Sequence, residues 1–195
     1  MSHHIYHTRG VILSSRPAGE SNRFYKIFTE ELGLVGATAQ SVREGKSKLR
    51  YTLQDFSIVT IDFVRGKEVW RIVSAGVWRP LETIKKDSIR IKLLAGFYSL
   101  LLRLLHGEGR DQELFAEIIA AVDFLEKQII PQELTLSFET LTAFRVLVHL
   151  GYADAKGFDN FLSPAPYSLD LLLQFEKIRS KVLTQINDAL SASHL

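Results

Sequence analysis

A chain of 195 residues, 46% of them hydrophobic, is long enough to bury a real core in one domain or two small ones. It has no cysteine, which excludes disulfides, cysteine zinc sites and thiol nucleophiles and suits a reducing cytosol. Net charge is only +2 but unevenly placed: residues 1–80 carry twelve Lys/Arg against seven Asp/Glu, and residues 81–195 carry twelve against fifteen. A basic front half and an acidic back half suggest two parts with different partners.

The chain opens on Met1-Ser-His-His with no apolar signal core. From Tyr6 to Ser15, Val11, Ile12 and Leu13 follow Gly10, and Pro17-Ala18-Gly19 reads as a turn, which is strand chemistry bounded by a breaker. Arg23 to Thr29 alternates, with Phe24, Lys26 and Phe28 on one side and Tyr25, Ile27 and Thr29 on the other. Glu30 to Gly33 closes that strand and Leu34 to Ala39 resumes it as a hairpin. Glu20 and Thr29 take turn and strand-end roles. Phe56 to Phe63 is rich in Phe, Ile, Val and Thr, and Arg65-Gly66-Lys67 turns into Glu68–Val73. Five short strands in about 75 residues predict a small closed barrel, since closure removes exposed edges.

Between the third and fourth strands lies Ser41–Arg50, where Arg43, Lys46, Lys48 and Arg50 are opposed only by Glu44. Gly45 and two serines argue against a packed strand. A cationic loop of this kind suits a phosphate backbone, through the release of condensed counterions. Charge runs of this length are more often simply solvated faces, so the frame around this one carries the argument. That frame adds Arg9, Arg16, Arg23, Lys26 and Arg65 on or near strands beside Tyr6, Phe24 and Tyr25. Tyr25 and Tyr51 are the better stacking candidates, because a phenol tolerates a wet groove.

Near Pro80 the period changes from two to 3.6. Ile89, Leu93, Phe97, Leu100 and Leu104 mark a helix apolar on more than one side, expected at the centre of a bundle. Its run from Leu93 to Leu102 falls short of the roughly 20 residues that span a bilayer. His106–Arg110 reads as a loop, and Asp111 as the N-cap of a second helix that Pro131 ends. A third runs from about Ser137 to Gly151 and a last from Ser168 through Leu190.

Chemistry of turnover is absent. His3, His4 and His7 sit on a terminal tail without carboxylates or cysteines to complete a metal set, and His149 reads as a core or boundary histidine. No glycine-rich phosphate loop, His-Glu-x-x-His or Gly-x-Ser-x-Gly occurs. The expectation is a binding protein with no catalytic residue, cofactor or metal.

Gly10-Val-Ile-Leu13, Gly19-Glu20, Phe28-Thr-Glu-Glu-Leu-Gly33, the basic Lys46-Ser-Lys-Leu-Arg50 and Leu53-Gln54-x-Phe56 follow in an order that resembles the N-terminal domain of the RecO family of bacterial DNA repair proteins. The resemblance covers roughly residues 5–75; Leu150-Gly151-Tyr152, ending a helix, resembles the family's C-terminal domain more weakly. It implies an α+β protein: a five-stranded OB-type β-barrel over residues 1–80, then an α-helical domain over 81–195. It further implies a cytoplasmic, non-enzymatic recombination mediator that binds single- and double-stranded DNA and anneals complementary strands. Such a mediator acts with RecR, binds the C-terminal tail of single-strand-binding protein, and so helps load RecA. Arg9, Arg16, Arg23, Lys26, Arg43, Lys46, Lys48 and Arg50 are the residues expected to touch nucleic acid. Many family members carry a cysteine zinc site in the interval that is Ala153–Tyr167 here, which has no cysteine. The rival reading is an RNA- or protein-binding adaptor built on the same barrel, with an unrecognised carboxylate enzyme a distant third.

Overall fold

The computed structural model describes residues 4–67 and 69–192. Five strands, β1 (Ile5–Ala18), β2 (Asn22–Thr29), β3 (Gly33–Ala39), β4 (Ile58–Arg65) and β5 (Trp70–Arg79), form a closed barrel in the order β1-β2-β3-β5-β4. β1 is long enough to serve two neighbours: residues 5–11 pair with β4 and residues 10–18 with β2. It therefore runs through Pro17, expected in the turn, because that end has a partner on one side only and Pro can sit there.

Period-two alternation explains the core. Tyr25 and Ile27, then Val35, Ala37 and Ala39, then Val59, Ile61 and Phe63 point inward, joined by Ile12, Trp70 and Ile72, with Val42 and Leu53 packed against them. Each large apolar side chain so buried contributes about 1.5–3 kcal/mol. Thr29 fastens the β2–β3 turn, its hydroxyl donating to the Gly33 carbonyl (2.9 Å) and accepting from the Leu32 N–H (3.0 Å). The basic segment after β3 contains a single helical turn, α1 (Leu49–Thr52).

Two compact units divide the chain: Met1–Leu81 with Leu105–Phe115, and Glu82–Leu104 with Ala116–Leu195. Residues 107–109, read as loop from sequence, pair with β3: the Leu34 N–H donates to the Gly107 carbonyl and the Gly109 N–H to the Leu32 carbonyl. Gly33 has φ +69° and no room for a side chain there, since a Cβ would stand 2.3 Å from the Gly109 oxygen. Glu108 then accepts from Arg65 and from the Trp70 indole N–H (2.9 Å). Burial pushes the Glu108 carboxyl up, but these two hydrogen bonds and the Arg65 charge outweigh it and hold it below the usual range.

The second unit is helical, with α2 (Glu82–Lys86), α3 (Ser88–Leu104), most of α4 (Gln112–Lys127), α5 (Thr135–His149), α6 (Leu169–Glu176) and α7 (Arg179–Ala192). The single last helix expected from sequence is two, meeting at a tight turn where Ile178 N–H donates to the Phe175 carbonyl. The buried stripe of Leu172, Phe175, Val182 and Ile186 passes across that turn. The centre is α5, not α3: nine of the fifteen residues of α5 are buried, against seven of the seventeen of α3, which exposes Ile89 and Ile91. Hydropathy hides this because α5 buries Thr140 and Thr142, whose hydroxyls are satisfied by the carbonyls of Leu136 and Phe138 one turn back. His149 lies on its exposed side. No helix among the described residues is long and apolar enough to cross a membrane.

Arg145, 3% exposed, ties the long 153–167 interval to this core. Its Nε donates to the Phe161 carbonyl (2.7 Å) and a terminal nitrogen to the Ala165 carbonyl (2.8 Å). The other terminal nitrogen lies 3.3 Å from buried Glu117, which also accepts from the Tyr167 hydroxyl at 2.6 Å. The guanidinium sits 4.2 Å from the Tyr167 ring centroid. Burial, then the Glu117 charge, raises the Tyr167 phenol well above its usual range, so it remains a donor. Replacing Arg145 by Met strands a buried carboxylate and two carbonyls. Urea unfolding is expected to show a loss of about 3–5 kcal/mol, against a smaller loss for Glu117→Gln.

Candidate nucleic-acid interface

The eight basic residues singled out from sequence separate into groups once the barrel closes. Arg23, Arg43 and Arg50 converge at one open end, where they line a cavity of about 470 Å³ together with Ser15, Tyr25 and Asp55. Arg23 enters because it shares the inward phase of Tyr25 and Ile27. Its guanidinium donates to Ser15 Oγ (2.6 Å), and that hydroxyl donates to Asp55 Oδ1 (2.6 Å). Arg43 is pinned to the β1–β2 turn, through its N–H to the Ser21 carbonyl (2.9 Å) and its guanidinium to the Gly19 carbonyl (3.1 Å). Arg50 comes from α1. Ser41 and Phe56, both non-glycine residues at positive φ (51° and 70°), bracket the segment that supplies this wall.

The second group is on the outside of the sheet. Cross-strand pairing places Arg16 beside Phe24, Phe24 beside Thr38, and Thr38 beside Arg71, one row across β1, β2, β3 and β5. Ser14, Lys26 and Gly36 form the next row. The Arg16 guanidinium lies 5.0 Å from the Phe24 ring centroid. Gly36 makes room for that ring, since a Cβ there would stand 2.7 Å from its Cζ. Arg71 donates to Gln40 Oε1 (3.1 Å) and is exposed. Lys46 and Lys48 are exposed on the segment leading to α1.

Arg9 stands apart from both groups, five residues or about 16 Å along β1 from Ser14. Its guanidinium lies 3.7 Å from Glu30 and 4.6 Å from the Trp78 ring centroid, and Arg79 lies 4.7 Å from the same ring. Trp78 in turn stacks on Phe115 within the same unit.

The tyrosine expected to stack in a wet groove does not: Tyr25 is fully buried in the barrel core. Alternation assigned Phe24 and Tyr25 to opposite faces correctly, but the phenol faces inward and the phenylalanine faces out. Tyr51 is 70% exposed, as a stacking residue requires. Sequence reading missed Arg71 as a member of the outer row, because its place depends on the parallel β3–β5 pairing. His7, on the outside of β1, contacts Asp62 at 2.5 Å, and His3 lies outside the described residues. Among the described residues no group of three or more His, Cys, Asp or Glu is placed to hold a metal.

A closed five-stranded barrel in this strand order, with a helical turn between β3 and β4 and helices after it, is an α+β protein with an N-terminal barrel of the oligonucleotide-binding type. The family model "Recombination protein O N terminal" matches residues 1–80. Over 156 residues the chain is 30% identical to the DNA repair protein RecO of Clostridium novyi, covering 80% of this chain and 58% of that one. It is 31% identical over 147 residues to the protein of the same name from Shigella flexneri, covering 74% and 57%, and 31% identical over 123 residues to that of Rubrobacter xylanophilus, covering 63% and 49%. The chain belongs to the RecO family of DNA repair proteins. It spans about half the length of the curated relatives it matches.

The packing of Phe24 on Gly36 is directly testable. Gly36→Ala is expected to displace the ring, seen as a shift of the Phe24 aromatic resonances, with a destabilisation of about 1–3 kcal/mol typical of overpacking.

Proposed function

We propose that this chain binds single-stranded DNA on the outer face of its barrel and brings complementary strands together. The observation that carries the reading is the Arg16–Phe24–Thr38–Arg71 row with Lys26 beside it, on the face where barrels of this type take oligonucleotides. Arg16, Lys26 and Arg71 neutralise successive phosphates, and Phe24 and Tyr51 offer ring surface to bases of any sequence. Lys46 and Lys48 extend the positive surface beyond the barrel wall. Neutralising one strand lowers the repulsion that a second strand meets, which is the physical basis of annealing without ATP or catalytic chemistry.

On this reading the protein is a non-enzymatic, cytoplasmic recombination mediator that also accepts duplex DNA. It works with RecR, contacts the acidic tail of single-strand-binding protein through its helical unit, and helps load the recombinase onto coated DNA. Support comes from family membership and from the basic front half of the chain.

Affinity for a short single strand is expected to fall with salt at a log–log slope of about −0.7 per phosphate neutralised. Replacing Arg16, Lys26 and Arg71 together by Ala flattens that slope by about two units on the same arithmetic. Phe24→Ala lowers affinity by about 1–3 kcal/mol while leaving the slope alone, because stacking releases no counterions. An unchanged slope in the triple variant sinks the outer-face assignment. Equal affinity for RNA with no acceleration of annealing favours the adaptor reading instead.

A further inference from the structure

The cavity at the open end of the barrel is separate from the outer row, and its chemistry is more specific than a track for a polyanion needs. We infer that it seats one phosphate group, and that the usual occupant is the terminal phosphate of a DNA strand.

The first reason is Tyr25. Its side chain is fully buried, it lines the cavity, and its hydroxyl has no hydrogen-bond partner among the described residues. A core position that only needed filling would take phenylalanine, because an unmatched buried hydroxyl is costly. In a cavity that Arg23, Arg43 and Arg50 also line, that hydroxyl is a donor that an anionic oxygen would satisfy. Burial pushes its pKa up to about 12, so at neutral pH it donates and carries no charge that would repel the ligand.

Charge is the second reason. Three guanidiniums, Arg23, Arg43 and Arg50, face one carboxylate, Asp55, which leaves two positive charges over. Asp55 is already engaged by the Ser15 hydroxyl, and through it orients Arg23. A surplus of two matches a phosphate monoester dianion, whereas an internal phosphodiester carries one charge. Guanidinium also presents the planar fork that binds phosphate oxygens in pairs.

Shape is the third. The floor is made of buried Tyr25, Val42 and Leu53, so the cavity is a dead end and not a channel. A strand running across the outer face has nothing to thread through it, but a strand end can enter. At about 470 Å³ it lies within the roughly 300–1,000 Å³ range of small-molecule sites, room for a phosphate with its sugar.

The strand as source rests on the DNA-binding reading; the phosphate seat itself does not. The test uses the full chain and three thymidine oligonucleotides of one length, ending in 5′-phosphate, 3′-phosphate or hydroxyls only, with thymidine monophosphate as a separate ligand. A phosphorylated end is expected to bind about tenfold tighter than the hydroxyl-ended strand at constant ionic strength, as a charge-assisted hydrogen bond would give. Tyr25→Phe should bring that ratio close to one without lowering the melting temperature, since it deletes a hydroxyl with no partner. Arg50→Ala, on the cavity wall, should reduce the same ratio. A wild-type ratio of one, with thymidine monophosphate not binding, overturns the inference, as does a ratio that survives in Tyr25→Phe. Monophosphate binding that is lost in Tyr25→Phe, with a strand ratio of one, overturns the strand end as the source and supports a free nucleotide. If no strand binds at all, the DNA-binding reading fails, and the monophosphate titration still decides the seat.

Discussion

Three parallel pairs, Ala37 with Trp70, Thr38 with Arg71 and Ala39 with Ile72, close an open sheet of order β3-β2-β1-β4-β5 into a barrel. The contact is short, and most of the first unit depends on it. It removes the edges that β3 and β5 would otherwise expose, and it puts Ala37, Ala39, Trp70 and Ile72 into one core. It also carries Arg71 across to Thr38, completing the outer row. Beyond these three pairs β3 still has an edge at Gly33 and Leu34. Residues 107–109 cover it, with Glu108 reaching Trp70 and Arg65 behind. Covering that edge from 105–115 explains why the first compact unit is discontinuous in sequence.

The helical unit solves a different problem. The interval 153–167 is long for a connection and has little regular structure beyond one short helical turn at Asp159–Phe161. Many members of the family place a cysteine zinc site there, and the residues present here do not fit one, since the chain has no cysteine. What holds the interval is Arg145, whose guanidinium serves two of its carbonyls, a buried carboxylate and an aromatic face. An always-charged fork with five donors can do this where a lysine could not. The arrangement is fully satisfied, and so it tolerates a charge that burial alone would make prohibitive.

The two cationic groups differ in what they ask of a ligand. The outer row runs across four strands of the sheet and sets the Phe24 ring beside the Arg16 guanidinium. The end cavity is concave and combines a neutral donor with a surplus of two charges. Arg16 and Arg23 lie on opposite faces of one barrel wall, so on the proposed reading one fold would separate holding a strand along its length from recognising its end.

Composition and periodicity alone determined a good deal: five strands, the switch to helices after Pro80, and the side of β2 on which each residue falls. Those features are local, because period two and period 3.6 are written in neighbouring residues. The sequence could not say which side of β2 is inside, since both sides carry an aromatic and a cation, and barrel closure alone buried Tyr25 and left Phe24 half-buried on the outer face. Nor could it group the arginines. Arg23, Arg43 and Arg50 meet because β2, the β1–β2 turn and α1 arrive at one end of a closed sheet, a long-range consequence of pairing that no local window contains. Arg145 is the extreme case: an arginine in an apolar stripe is legible only once Phe161, Ala165 and Glu117 have been brought around it.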